Sequence, residues 1–280
     1  MDAKGIIADL LPPIVYRALR RLPIIRRDWD YVGRSWPAAD PRAAGWDDPS
    51  VVARMRTEWA AYAAALNTPE PFALWPWDTR GRDPAAYNNL MAFVYSLARA
   101  ARGKHRLSVL DWGGGFGNFF LVARAAVPDV ALDYVVKDRP ATAAAGAEIN
   151  PHAAFVATDD AAFSRQYDVV LASNALQYAA EWRTVARRLA GCAEQWLLLL
   201  TVPAVRQVSP FVIVQRPRHV GFASDYVSWV FNREDLLNHV AAQGMRLERE
   251  FLSSGTIYCR RAPEEIVNTS WLFRRVEPAS

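Results

Sequence analysis

The sequence has two cysteines, Cys192 and Cys259, and four histidines, His105, His152, His219 and His239, scattered along 280 residues. A disulfide framework needs recurring cysteine pairs and a structural zinc site needs clustered ligands, so neither disulfides nor a bound metal are expected. No uninterrupted apolar run nears the ~20 residues of a membrane-spanning helix. Asp9, Pro12 and Pro13 break the first apolar stretch early, and no basic segment precedes a clean apolar core. A signal peptide is therefore not indicated, and the expected compartment is the cytoplasm. Charge of one sign is also in short supply: 33 basic residues against 29 acidic ones leave a formal excess of +4. That excess names no anionic partner. Aromatic and basic residues do not interleave as a stacking platform for single strands would require, so no nucleic acid is expected. Nothing repeats at a fixed period.

What is present supports one substantial core, or a core domain with an accessory segment: 52% of the residues are hydrophobic and 22% charged. Residues 1–102 read as a mostly helical N-terminal extension or cap. Within it, residues 14–27 combine Ile14, Val15, Tyr16, Leu19, Leu22, Ile24 and Ile25 with five arginines. Such a segment suits weak peripheral association with an anionic membrane, and equally suits docking on its own domain with its arginines in water. Residues 28–50, rich in Trp, Pro, Asp and Gly, read as an irregular connection. Helices are predicted at 51–66 and 84–102, the second carrying Leu90, Phe93, Val94 and Leu97 at helical spacing.

After Gly103 the pattern changes. RLSVLDW, DVALDYVVKD, AAFVATD, YDVVLAS and QWLLLLTVP are five predicted strands. Helices are predicted between them at about 117–126, 140–147, 160–164 and 180–190. Near-continuous apolar strands alternating with helices signal a parallel sheet covered on both faces. In the tail, Asn232 caps a helix with Asp235 at its third position, Leu236, Leu237 and Val240 on its apolar side and Gly244 at its end. MRLEREFLSSG, TIYCRR and SWLFRR then read as antiparallel strands. The expected fold is α/β: a Rossmann-like mixed sheet of about seven strands with flanking helices and an N-terminal helical extension.

Between the first strand and the next helix lies VLDWGGGFGNFF, residues 109–120. In open α/β folds this loop forms the ligand cradle beyond the strand ends. Gly113, Gly115 and Gly117 remove side chains where a ligand meets backbone or where φ is positive. A phosphate-binding P-loop is excluded, because no Gly-Lys-Ser/Thr follows. A dinucleotide fingerprint needs a third small residue, and Asn118 occupies that place. Asp111, just before the glycines, would repel a pyrophosphate and receive an ammonium group. That polarity favours a zwitterionic or cationic ligand such as the amino-acid portion of S-adenosylmethionine.

VLDWGGGFGN, followed in order by DYVVKDRP, ATDD, YDVVLASNALQY and LLLLTVP, resembles a class I S-adenosylmethionine-dependent methyltransferase. The Trp-rich lead-in, Asn174–Tyr178 and YVSWVFNREDLL resemble, more narrowly, a methyltransferase family associated with bacterial polysaccharide and natural-product biosynthesis. The resemblance implies a cofactor-binding methyltransferase domain at 103–280, with a substrate-shaping insertion around 203–230. It implies that Asp111, Gly113, Gly115 and Gly117 surround the methionine portion of S-adenosylmethionine. Asp138 would bind the ribose hydroxyls, Asp159 or Asp160 the adenine amino group, and Asn174 would face cofactor and acceptor. The expected reaction is methyl transfer to a small molecule or saccharide, at oxygen. A hydroxyl acceptor needs a base. His219, in the polar stretch after the fifth strand, has the right chemistry and position, with Tyr178 and Tyr226 to orient the acceptor or wall its pocket. A non-catalytic biosynthetic partner that keeps the fold, and an NAD-dependent oxidoreductase or epimerase, are the other readings.

Overall fold

A computed structural model describes residues 29–38, 45–68, 84–216 and 224–276. The arginine-rich segment 14–27, with its expected weak membrane association, and His219 lie outside these. Ten strands occur among the described residues: β1 (Trp29–Gly33), β2 (Arg106–Trp112), β3 (Ala131–Lys137), β4 (Ala154–Val156), β5 (Tyr167–Ser173), β6 (Ala193–Val205), β7 (Phe211–Gln215), β8 (Tyr226–Asn232), β9 (Met245–Ile257) and β10 (Ile266–Arg275). The helices are α1 (Pro49–Ala65), α2 (Pro84–Ala101), α3 (Asn118–Ala126), α4 (Pro140–Ile149), α5 (Asp159–Ala162), α6 (Trp182–Cys192) and α7 (Arg233–Ala241). Single 3-10 turns occupy Gly45–Asp47 and Leu176–Tyr178.

The strands form one sheet, with β4-β3-β2-β5-β6-β10-β9 as its main body. β2 to β6 run parallel, and β10 runs antiparallel between β6 and β9. These seven strands are the mixed sheet expected from the sequence. Alternation along each strand splits the core into two layers. Leu107, Val109, Val169, Leu171, Leu198 and Leu200 face α2 and α3, where Phe93 and Phe119 meet at 4.6 Å between ring centroids. Leu110, Trp112, Val170, Ala172, Leu197 and Leu199 face the side covered by Ala162, Trp182, Leu189, Leu236 and Val240. Strands buried on both faces have no polar face to show, which is why their sequences are apolar throughout.

The remaining strands differ from the sequence reading. Residues 29–33, read as an irregular connection, form β1, and the 203–230 stretch contains β7 and β8. The three make an antiparallel arm, β1-β7-β8, that joins the body where Ala204 and Val205 pair with Phe231 and Asn232. Its own small core holds Val205, Phe211, Ile213, Val230 and Ile266. Asp30 ties β1 down through Arg216 and, at 2.6 Å, Arg260. The predicted strand TIYCRR also changes: β9 runs on through Thr256 and Ile257 but ends there, and Arg260 makes only an isolated bridge to Asp30. No helix among the described residues is long and apolar enough to cross a membrane.

From β2 the chain proceeds outward to β3 and β4, then returns to β5 on β2's other side. The strand order therefore reverses between β2 and β5. A crevice opens there beyond the carboxyl ends of both strands, the position where such sheets take ligands.

Candidate functional site

The crevice holds a cavity of about 340 Å³, within the range of small-molecule sites. Its floor comes from the loops after β2, β3 and β5, and its cover from the N-terminal segment.

The glycine loop is shaped by close approach. Gly113 has φ +76°, and a Cβ there would lie 2.5 Å from Ala175 Cβ, on the loop after β5. The two loops that bound the crevice thus touch through the missing side chain. A Cβ on Gly114 would lie 2.5 Å from the Asp111 carboxyl carbon. Asp111 is fully buried beneath the loop, on the α3 side of the sheet, and does not line the cavity. Its Oδ2 accepts from Tyr134 Oη at 3.0 Å, while Oδ1 is buried without a hydrogen bond. Burial pushes its pKa up to about 7, against the Tyr134 hydrogen bond and with help from the nearby Asp138 charge. Its influence on a ligand is that of a field rather than a contact.

The end of β3 carries three neighbours that all line the cavity: Lys137, Asp138 and Arg139. Asp138 Oδ2 accepts from the Gly115 backbone N–H at 2.8 Å, and Oδ1 from that of Arg139 at 2.7 Å. Burial raises its pKa, opposed by those two hydrogen bonds. Lys137 reaches the start of α5, where Asp159 Oδ1 accepts from Lys137 Nζ at 2.8 Å and from Trp112 Nε1 at 2.8 Å. Burial would raise the Asp159 pKa, but these hydrogen bonds and the Lys137 charge hold it below the usual carboxylate range. Asp160, one residue on, points into solvent and pairs with Arg188 at 2.7 Å. Successive helical residues diverge by about 100°, so the two carboxylates cannot share the cavity.

After β5, Asn174 adopts φ +50° and lines the cavity, its Oδ1 accepting from Gln177 Nε2 at 2.6 Å. Tyr178 closes this end, with Oη 3.4 Å from Gln215 Oε1 on β7. Burial raises the Tyr178 pKa well above that of an ordinary phenol, so it is a donor at neutral pH and not a base. Tyr226 stands behind the lining, its ring 4.6 Å from that of Trp46, and burial pushes its hydroxyl up to about 12.

The structure thus brings Gly113, Gly115, Asp138, Asp159, Asn174 and Tyr178 to one cavity. It places Asp111 below it, Asp160 outside it and Tyr226 behind Trp46. Gly117 lies at the cap of α3, where a Cβ would meet Asn150 Nδ2 at 2.9 Å. Lining residues to which the sequence reading gave no role include Trp46, Val51, Met55, Lys137, Arg139 and Glu181. Three belong to the N-terminal segment, which is clipped over the mouth. Gly45 N–H donates to Ser224 Oγ at 2.7 Å, Asp47 pairs with Arg139, and Arg56 pairs with Glu148 at 2.6 Å. The signal for this cover was GWDDPS: Asp48 caps α1 by accepting from Ser50 N–H at 2.9 Å, with Pro49 at the first helical position.

A family profile described as a methyltransferase domain matches residues 85–250, more than half of the chain. The chain belongs to the methyltransferase-domain family. The matched span of this methyltransferase domain runs from α2 into β9 and includes the glycine loop, Asp138, Asp159 and Asn174. Solved structures similar to it include magnesium protoporphyrin IX methyltransferase from Synechocystis, at 14% identity and TM-score 0.48, covering 86% of this chain and all of that one. A 1,6-didemethyltoxoflavin-N1-methyltransferase from Burkholderia thailandensis is 13% identical with TM-score 0.44, covering 90% of this chain and 98% of that one. An amino pentose methyltransferase from Micromonospora echinaspora is 16% identical with TM-score 0.43, covering 69% and 96% respectively. The search of curated proteins found no match to the chain.

Proposed function

We propose that the protein transfers a methyl group from S-adenosylmethionine to an oxygen of a small molecule or saccharide. The observation that carries this reading is the convergence, at the switch-point crevice, of a side-chain-free loop with Asp138, Asp159 and Asn174. The donor set fits the cofactor. The Asp138 carboxylate accepts from two backbone N–H groups and from the Thr142 side chain, and with about four acceptor sites can still receive a ribose hydroxyl. Asp159 offers a carboxylate to an amino group, and the loop at Gly113 and Gly115 offers backbone to the methionine portion.

Bound S-adenosylmethionine supplies a sulfonium-activated methyl group. The chain's own part is alignment and exclusion of water. Trp46, Val51, Met55 and Val185 wall the cavity with apolar surface. Tyr178 stays protonated, its hydroxyl turned to Gln215, and its ring with that of Trp46 offers the acceptor flat apolar faces with polar edges. A hydroxyl acceptor would give up its proton to a base, the role the sequence reading gives to His219, so that the methyl group supplied by the bound sulfonium could be accepted at oxygen.

Thermal melting with added ligand tests the reading. S-adenosylmethionine and S-adenosylhomocysteine are expected to raise the melting temperature, by mass action on the folded state, and NAD to leave it unchanged. Gly113→Val places a side chain against Ala175 at a positive φ and abolishes the ligand-induced rise. A rise with NAD alone, or none with either adenosyl compound at millimolar concentration, would remove the proposal.

A further inference from the structure

Lys137 lies where the cavity ends, and it anchors the site twice. Its backbone carbonyl accepts from the Gly113 and Gly114 N–H groups at 2.7 and 3.3 Å, fixing the glycine loop. Its side chain leaves β3 on the same face as Val135, towards Trp112, and Nζ lies 4.9 Å from the Trp112 ring centroid. Nζ also pairs with Asp159 Oδ1, which the Trp112 indole N–H reaches from another direction. Two donors on one oxygen lock the carboxylate's orientation and, among the described residues, leave Oδ2 for a ligand. A carboxylate held ionised accepts hydrogen bonds and donates none. It therefore welcomes an exocyclic amino group and repels a carbonyl oxygen in the same place.

We propose that Lys137 is a positioning residue that fixes Asp159 for purine recognition, making this end of the cavity select a 6-amino over a 6-oxo base. The role rests on S-adenosylmethionine being the occupant. Neither Asp159 nor Trp112 alone suffices: without the cation, Asp159 keeps one neutral donor and is free to swing towards Arg188, which already pairs with Asp160 in the next position.

Calorimetry with S-adenosylhomocysteine and its 6-oxo counterpart, S-inosylhomocysteine, tests this on the wild type, Lys137→Met and Lys137→Arg. The wild type is expected to prefer the adenosyl compound by about tenfold or more, the usual worth of a hydrogen bond to a charged group. Lys137→Met, similar in length but uncharged, weakens S-adenosylhomocysteine binding by roughly tenfold and narrows the preference. Lys137→Arg, which keeps the cation, retains the preference. A purely structural lesion would weaken both ligands alike and leave their ratio unchanged. Should the methionine variant fail to fold, Lys137→Gln gives the same comparison. An unchanged ratio in the uncharged variant overturns the assignment to Lys137 and leaves the cofactor reading standing. Absence of S-adenosylhomocysteine binding to the wild type overturns both.

Discussion

Asp111 brings a carboxyl group into the sheet's interior with a single hydrogen bond, from Tyr134. With a folded pKa pushed up to about 7, the folded chain holds this proton over a range where the unfolded chain, near pH 4, has lost it. Stability contributed by the group is therefore present below pH 4 and falls as pH rises to about 7, by a few kcal/mol in order of magnitude. Asp111→Asn, which cannot ionise, is expected to melt closer to the wild type at pH 4 and progressively above it up to pH 7.5, in the ligand-free chain. A pH-independent gap between the two melting temperatures would show that Asp111 is ionised in the fold throughout. At this scale the sequence was legible where chemistry depends on residue type and order: Gly113, Gly115, Asp138 and Asn174 all line the crevice, while Gly117 caps α3. It was illegible where a single step of helix decides orientation, as between Asp159 and Asp160. It was illegible again where depth decides, as for Asp111, which lies under the loop because Gly114 leaves room for it there.

Elements were legible in proportion to their periodicity. β2 and β5 match RLSVLDW and YDVVLAS residue for residue, because both are short apolar runs bounded by turn residues. α7 begins where Asn232 announced it, with Oδ1 accepting from Asp235 N–H at 3.1 Å. The same side chain donates from Nδ2 to Val208 O at 2.9 Å, so one asparagine starts α7 and holds the turn between β6 and β7. Asn232→Ala is expected to destabilise the chain by about 1–2 kcal/mol in urea unfolding. Asn232→Asp, which retains the cap but not the donor, loses less. Equal losses would place the whole effect in the turn. The arm escaped the sequence reading for a different reason. β1, β7 and β8 are flanked by Pro, Gly and Trp, and β1 joins residues near 30 to residues near 214 on β7, which in turn pairs with β8. No local pattern encodes so distant a partnership.

At the scale of the whole molecule, the reversal of strand order between β2 and β5 decides where the site lies, and the N-terminal segment decides how it is covered. Trp46 reaches Tyr178 and Tyr226 at 5.2 and 4.6 Å between ring centroids, and Met55 sits over Gly115. Residues 46–55 and 173–185, distant in sequence, thus enclose one cavity over the glycine loop. We propose that this cavity holds S-adenosylmethionine, read by Asp138 and Asp159. A crystal structure of the full chain with S-adenosylhomocysteine tests it most directly. The ribose hydroxyls are expected on Asp138, the adenine amino group on Asp159 Oδ2 and the amino-acid portion over Gly113 and Gly115. A ligand bound elsewhere, or in the cavity with its adenine away from Asp159, would contradict it.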